Sequence, residues 1–165
     1  FDATADMARL GEPDAILICV PTPLTRHREP DMTYVVATAE AIAARLRPGQ
    51  LVVLESSTWP GTTEEVVKPI LEASGLASGS DFFLGFSPER EDPGNARFGT
   101  TTIPKVVSGD GPVAATLIEQ FYSVGGRGLG QAALGPGGLS VPGPDPPQSC
   151  QVDGQFTHCF PIGRI

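Results

Sequence analysis

Three short apolar runs, separated by segments of helical length, constrain the fold of this chain more than any other feature. They are Ala15 to Val20, Leu51 to Leu54, and DFFLGF, which begins at Asp81. An uninterrupted apolar run of this length is typical of a strand that is buried on both faces in a parallel sheet. A shorter fourth strand is predicted in PKVVSG, which ends at Gly109.

Helices are predicted between these strands. In the first helix, Asp31 is the expected N-cap, and Pro48-Gly49 ends the pattern. The apolar residues between them recur at helical spacing: Val35, Val36, Ala39, Ile42, Ala43 and Leu46.

A second helix is expected to begin at Thr62 or Thr63 and to stop at Gly75, and Pro69 inside it predicts a kink or an early break. A third is predicted in GPVAATLIEQFYSV, from Gly111. Strands and helices that alternate in this way predict an α/β fold with right-handed crossovers and helices on the faces of a parallel sheet.

Polar, stiff corners follow three of the predicted strands. They read Pro-Thr-Pro from Pro21, Glu-Ser-Ser-Thr from Glu55 and Ser-Pro-Glu from Ser87. Proline fixes φ and lacks an N–H, so it suits the point where a strand ends. One such proline is most simply a turn signal. Because ligands of parallel α/β sheets bind beyond the carboxyl ends of the strands, three corners together favour a shared binding cleft.

Charge and apolar pattern exclude several classes of partner. The chain of 165 residues carries a net charge of −8, and its eleven Lys and Arg form no basic run, so nucleic acid is not an expected partner. The apolar runs are shorter than the ~20 residues of a membrane span, and the first residues lack the pattern of a signal peptide. We therefore expect no membrane partner and a cytoplasmic location.

Cysteine and histidine usage argues against two kinds of site. Cys19, Cys150 and Cys159 are odd in number and have no CxxC spacing, so neither a disulfide framework nor a metal site is predicted. The two histidines, His27 and His158, lie in a charged loop and in the tail, which disfavours a Ser-His-Asp triad.

Five motifs make the chain resemble a known family. They are DAILICVPTPL, REPDMTYV, LVVLESSTWPGTTEEV, FSPEREDPGN and TIPKVVSG. In order and spacing they resemble the NAD-dependent nucleotide-sugar 6-dehydrogenases, which act on UDP-glucose and UDP-N-acetylhexosamines. The last three look most like the branch that acts on UDP-N-acetylglucosamine or UDP-N-acetylmannosamine.

The resemblance implies a cofactor domain that binds NAD. Residues 1–124 correspond to the carboxyl-side part of its N-terminal NAD-binding domain, with a partial Rossmann-like parallel sheet. Two loops match those that lie along the cofactor: Val20, Pro21, Thr22, Pro23 and Leu24 in the first, and Ser57, Thr58 and Trp59 in the second, on the nicotinamide side. The rigid prolines are expected to hold the loop in place before NAD binds.

The family's reaction implies roles for two further groups. It oxidises the C6 alcohol of a UDP-sugar to a carboxylate in two hydride transfers to NAD, through a thiohemiacetal and a thioester on a cysteine. Thr58 matches the threonine that holds a catalytic water, and Glu89 matches the glutamate of acid-base chemistry and thioester hydrolysis. Judged without the resemblance, Glu89 is a solvated loop acid and Arg90 a surface ion-pair partner.

Two residues beside the loops are less specific. Cys19 is expected to be a small hydrophobic residue within a buried strand rather than a nucleophile. Glu55 either touches the cofactor or caps a helix, and the residues alone do not separate these alternatives.

Parts of the family pattern are missing. No GxGxxG turn follows a first strand, and GGRGLG at 125–130 has no strand before it and no amphipathic helix after it. Neither Cys150 nor Cys159 stands in the glycine-rich surroundings of the family's nucleophile. We therefore expect a fragment that is inactive by itself and that self-associates through an open sheet edge.

Residues 125–165 are predicted to be a Gly/Pro-rich tail outside the family, disordered or irregular in structure. Two alternatives stay open. One is another NAD-dependent hydroxyacid dehydrogenase, which uses a catalytic lysine on a later helix. The other is a non-catalytic, truncated NAD-binding module, which predicts no turnover.

Overall fold

The fold is a four-stranded sheet with helices between its strands. The computed structural model describes residues 2–27, 29–88 and 106–123, and the backbone of residues 149–152 and 155–158. The strand order is β1-β2-β3-β4, with β1 at Ala15–Ile18, β2 at Leu51–Leu54, β3 at Phe83–Phe86 and β4 at Ser108–Gly109. The α-helices are α1 (Thr33–Ala43), α2 (Lys68–Glu72) and α3 (Pro112–Ser123). The predicted α/β class is confirmed.

The chain divides into two compact units, Phe1–Leu84 and Gly85–Ile165. In the first unit, β1 and β2 are parallel, and Ile18 lies opposite Leu54. All four residues of β2 are buried, as predicted. In β1 burial alternates, and Leu17 is 40% exposed. The prediction that β1 is buried on both faces is wrong, because β1 is the terminal strand of the sheet and solvent reaches the face that carries Leu17.

Helix α1 begins close to its predicted start. The N-cap position is Met32, one residue after the predicted Asp31. The Asp31 carboxylate nevertheless accepts hydrogen bonds from the Thr33 N–H at 3.0 Å and the Thr33 hydroxyl at 2.6 Å. The helix ends at Ala43, earlier than predicted, because the Arg45 N–H donates to the Ile42 carbonyl at 2.8 Å and tightens the last turn.

The predicted break at Pro69 takes the form of a π-helical turn, Thr63–Val67, that leads directly into α2. Here the Lys68 N–H donates to the Thr63 carbonyl, five residues back. Proline lacks an N–H, and in a regular helix its ring crowds the carbonyl four residues earlier, which here belongs to Glu65. The wider turn therefore lets the chain stay helical past Pro69.

Two side chains hold the segment that precedes β1. The Arg47 guanidinium donates to the Gly11 carbonyl at 2.8 Å and to the Asp14 carboxylate at 2.6 Å. Gln50, which is fully buried, donates to the Pro13 carbonyl at 2.7 Å. These bonds satisfy carbonyl groups that no strand pairs, and they set the point where β1 starts.

In the second unit, β4 is antiparallel to β3, with Gly85 opposite Gly109. The prediction of a parallel sheet missed this strand's direction, because an apolar run indicates a strand without fixing its direction. The strands and α3 pack closely. A Cβ atom on Gly85 would lie 2.6 Å from the Ser108 carbonyl oxygen, and one on Gly109 would lie 2.6 Å from the Ala114 carbonyl carbon.

Two segments within the predicted irregular tail form a separate two-stranded antiparallel sheet, β5 (Ser149–Val152) and β6 (Gln155–His158). These two strands were not predicted from the sequence. The signal was the Asp-Gly dipeptide at 153–154, which is among the strongest short-range indications of a two-residue hairpin loop. The rest of 125–165 lies outside the described residues.

Candidate functional site

The carboxyl ends of β1 and β2 carry the two loops predicted to meet the cofactor. We call Val20–Leu24, which follows β1, the first corner, and Ser57–Trp59, which follows β2, the second corner. Because β1 and β2 are parallel and in register, both corners leave the sheet at the same end. The structure therefore brings these predicted site residues together at the position where α/β sheets bind ligands.

Ser56 connects the two strand ends. Its hydroxyl accepts a hydrogen bond from the Val20 N–H at 2.9 Å and donates to the Val20 carbonyl at 2.8 Å. The Glu55 and Ser56 N–H groups both donate to the Ile18 carbonyl, at 3.0 and 3.1 Å. Ser56 is 6% exposed. Sequence reasoning missed this residue, although the β1–β2 register, extended by two residues past Ile18, places it opposite Val20.

The first corner opens a closed loop that returns to α1. Leu24 forms an isolated antiparallel bridge with Pro30. The Thr25 N–H donates to the Glu29 carbonyl at 2.7 Å, and the Asp31 N–H donates to the Pro23 carbonyl at 2.8 Å. These bonds hold the segment without a regular helix or strand.

Exposure within the first corner suits contact with a ligand. Pro21 and Pro23 are exposed, Thr22 is half-buried and Leu24 is 67% exposed. Proline and leucine side chains at this end of the sheet offer an apolar surface, and the Thr22 hydroxyl adds a polar group. A dinucleotide needs both kinds of contact, as small-molecule sites generally do.

The second corner presents a buried hydroxyl beside exposed groups. Ser57 is exposed, and Trp59 is 38% exposed. The Thr58 hydroxyl oxygen is buried, and within the described residues it has no hydrogen-bond partner. Since buried polar atoms are nearly always paired, this oxygen is a ready partner for a group of NAD or for a water. The residues of the two corners thus fit the cofactor that the resemblance implies.

The start of the π-helical turn holds Trp59 in place. The Thr62 hydroxyl donates to the Trp59 carbonyl at 2.7 Å. Gly61, with φ of +87°, turns the chain, and its carbonyl accepts the Glu65 N–H at 2.8 Å. The left-handed conformation at Gly61 explains why glycine follows Trp-Pro at this position.

Cys19 and Glu55 form a side-chain pair at the ends of the same strands. The Cys19 thiol donates to the Glu55 carboxylate at 3.3 Å. Cys19 is exposed, so the prediction that it lies within a buried strand is wrong, because β1 already ends at Ile18. The expectation that Cys19 is not a nucleophile stays a prediction.

The third corner follows β3 in the second unit. Ser87 is fully buried, and its hydroxyl has no hydrogen-bond partner within the described residues. Glu89 and Arg90 lie outside the described residues. The catalytic role assigned to Glu89 therefore stays a prediction.

Two features are absent from the described ranges. No helix there is long and apolar enough to cross a membrane. The same ranges contain no group of three or more His, Cys, Asp or Glu side chains arranged to hold a metal ion.

The chain is similar in sequence to several nucleotide-sugar dehydrogenases. The chain is 40% identical over 120 residues to UDP-N-acetyl-D-glucosamine 6-dehydrogenase of Pseudomonas aeruginosa, covering 72% of this chain and 28% of that protein. It is 33% identical over 109 residues to UDP-N-acetyl-D-mannosamine dehydrogenase of Pyrococcus horikoshii, covering 66% of this chain and 26% of that protein. The chain thus spans little more than a quarter of the length of these relatives.

A solved structure shares the fold. The crystal structure of NDP-N-acetyl-D-galactosaminuronic acid dehydrogenase from Methanosarcina mazei matches with a TM-score of 0.66 and 34% identity, covering 72% of this chain and 26% of that one. Residues 1–124 match the model of the UDP-glucose/GDP-mannose dehydrogenase family, NAD binding domain. NAD is therefore the cofactor of this domain. The chain belongs to the UDP-glucose/GDP-mannose dehydrogenase family, and the matched residues correspond to its NAD-binding domain.

Proposed function

We propose that this chain supplies part of the NAD cleft of an enzyme that oxidises the C6 alcohol of a UDP-N-acetylhexosamine to the uronic acid. The observation that carries the proposal is the pair of corners at the carboxyl ends of β1 and β2, joined through Ser56. A UDP-N-acetylhexosamine is preferred to UDP-glucose because the two curated relatives described above are named for such sugars. Family membership disfavours a general hydroxyacid dehydrogenase.

In this proposal the two corners bind NAD from two sides. Val20, Pro21, Thr22, Pro23 and Leu24 line one side, where the prolines limit the conformational entropy that the loop loses on binding. The other side is formed by Ser57, Thr58 and Trp59. When bound, NAD supplies the acceptor for the hydride that leaves the sugar carbon.

Two residues are proposed to act on the reacting groups. The buried Thr58 hydroxyl, which lacks a partner within the described residues, holds a catalytic water. Glu89 takes and returns protons and assists hydrolysis of a thioester. Cys19 is not proposed as the nucleophile. We accordingly propose that the 165 residues bind NAD but do not by themselves form the uronic acid.

The proposal also includes a small-molecule partner and a cellular compartment. The UDP-sugar is the expected small-molecule partner, and the cytoplasm is the expected location. Three cysteines without disulfide spacing suit a reducing compartment.

The first test is NAD binding by isothermal titration calorimetry on the purified chain. We expect Thr22→Ala combined with Thr58→Ala to weaken binding by about tenfold, because two hydroxyl contacts are removed. Thr38→Ala combined with Thr116→Ala, which removes hydroxyls from α1 and α3, is the matched control and should bind as the wild type does. Absence of binding by the wild type at millimolar NAD would overturn the proposed cleft.

A second test addresses turnover. We expect no NADH absorbance when the chain is mixed with NAD and UDP-N-acetylglucosamine. Formation of NADH would contradict the proposal that these residues do not by themselves oxidise the sugar.

A further inference from the structure

We infer that Ser56 is a positioning residue that holds the first corner in its NAD-binding conformation. The inference rests on the proposed function for the identity of the ligand. Ser56 is not expected to touch NAD, since it is 6% exposed and its hydroxyl is engaged by Val20. Its effect on the cofactor is exerted through the backbone.

Val20 is the residue at which the first corner can best be fixed. Pro21 and Pro23 have no N–H, so neither can donate a backbone hydrogen bond, although the Pro23 carbonyl accepts one from the Asp31 N–H. Val20 stands directly before them and has both an N–H and a carbonyl, and Ser56 pairs both. One side chain thus replaces the pair of ladder bonds that a further strand residue would have made.

The same serine belongs to the segment that carries the second corner. Ser56 is followed directly by Ser57 and Thr58, and its own N–H donates to the Ile18 carbonyl at 3.1 Å. Its hydroxyl therefore connects the segment that carries Thr58 with the residue next to the Pro-Thr-Pro loop. Loss of this hydroxyl leaves two backbone groups of Val20 unpaired and allows the first corner to move relative to the second.

Amide hydrogen exchange, measured residue by residue by NMR, tests whether Ser56 holds Val20. In Ser56→Ala we expect the Val20 N–H to exchange about tenfold faster, because its acceptor is gone. The Glu55 N–H, which donates to the Ile18 carbonyl, is the internal reference and should keep its rate. Ser56→Thr keeps a hydroxyl and should keep slow exchange at Val20. An unchanged Val20 rate in a folded Ser56→Ala protein would overturn the inference.

NAD titration of the same variants tests the consequence for the cofactor. We expect Ser56→Ala to weaken NAD binding by about tenfold, and Ser56→Thr to restore it. Ser80→Ala, which removes an exposed hydroxyl, is the matched control. All titrations are made well below the melting temperature, so that a purely structural role would lower the melting temperature but leave the affinity unchanged. Faster exchange at Val20 with unchanged NAD affinity would therefore overturn the positioning role.

The two proposals fail in different ways. If the wild-type chain binds no NAD, the proposed cleft is wrong, whereas the exchange rate of Val20 still decides whether Ser56 holds the corner. If the wild type binds NAD and Ser56→Ala binds equally well, the proposed cleft stands and the role of Ser56 is refuted.

Discussion

The buried side-chain amide of Gln50 forms hydrogen bonds with three backbone groups. Its side-chain N–H groups donate to the Leu10 carbonyl at 3.0 Å and to the Pro13 carbonyl at 2.7 Å, and its oxygen accepts the Arg47 N–H at 2.9 Å. The sequence predicted a strand from Leu51 onward but assigned no role to Gln50. A glutamine beside an apolar run carries no signal of its two acceptors, because these are backbone carbonyls 40 and 37 residues away.

Replacement of Gln50 should destabilise the first unit. We expect Gln50→Met to lower the free energy of unfolding by about 1–2 kcal/mol, because the Leu10 carbonyl and the Arg47 N–H lose their hydrogen-bond partner while side-chain volume is kept. Urea denaturation followed by circular dichroism measures the change. Gln120→Met, at an exposed position of α3, should stay within about 0.5 kcal/mol of the wild type. Equal losses in the two variants would contradict the prediction.

The Asp31 carboxylate should make the stability of the chain depend on pH, in a direction that the structure defines. Hydrogen bonds from the Thr33 hydroxyl and then the Thr33 N–H lower the pKa of this carboxyl. Its contribution to stability is therefore present above the ordinary aspartate pKa, and it is lost as the pH falls through the lowered pKa. An NMR titration should show that Thr33→Val raises the pKa of Asp31 toward its ordinary value. A titration curve unchanged by Thr33→Val would contradict the assigned cause.

At the level of elements, the sequence predicted where strands and helices occur better than how they begin and end. Apolar period and capping residues indicated α1 and the helix that contains Pro69, since these signals are local. The π-helical turn before Pro69 and the direction of β4 were not predicted. The π-helical turn depends on the space that the Pro69 ring needs, and the direction of β4 depends on how its backbone pairs with β3. A pattern of apolar residues encodes neither.

The packing of α3 on β4 gives a test at this scale. We expect Gly109→Ala to lower the free energy of unfolding by at least about 2 kcal/mol, because the added Cβ would press against the backbone of Ala114 and Ala115. Gly111→Ala is the control. Gly111 has φ of +93° and no atom within 4 Å of such a Cβ, so only backbone strain of about 1 kcal/mol applies there. A smaller loss at Gly109 than at Gly111 in thermal or urea unfolding would refute the packing argument.

For the whole molecule, the resemblance predicted the family and the cofactor, and both are confirmed. The site itself was only partly predictable. Proline and threonine identified the corners, whereas the contact of Ser56 with Val20 depends on strand register, which short apolar runs leave open.

Self-association stays a prediction at this scale. β1 is the terminal strand of the sheet, and its Leu17 is 40% exposed, which favours pairing with a second copy of the chain. We expect sedimentation equilibrium to show oligomers that Leu17→Lys weakens. Met7→Lys, at an exposed site in the 3₁₀ helix before β1, should have no such effect. A wild-type chain that stays monomeric at all concentrations would contradict the prediction.

The register between β1 and β2 also fixes when the cofactor site can form during folding. Cys19 and Glu55, and likewise Val20 and Ser56, are separated by 36 residues, the same offset as in the strand ladder. The contacts that join the two corners do not form between neighbours in sequence, so the loop-closure entropy of the whole β1-α1-β2 crossover is spent before the first of them is made. In a refolding experiment we therefore expect the proposed NAD binding to appear together with the parallel sheet, and not in an earlier local event.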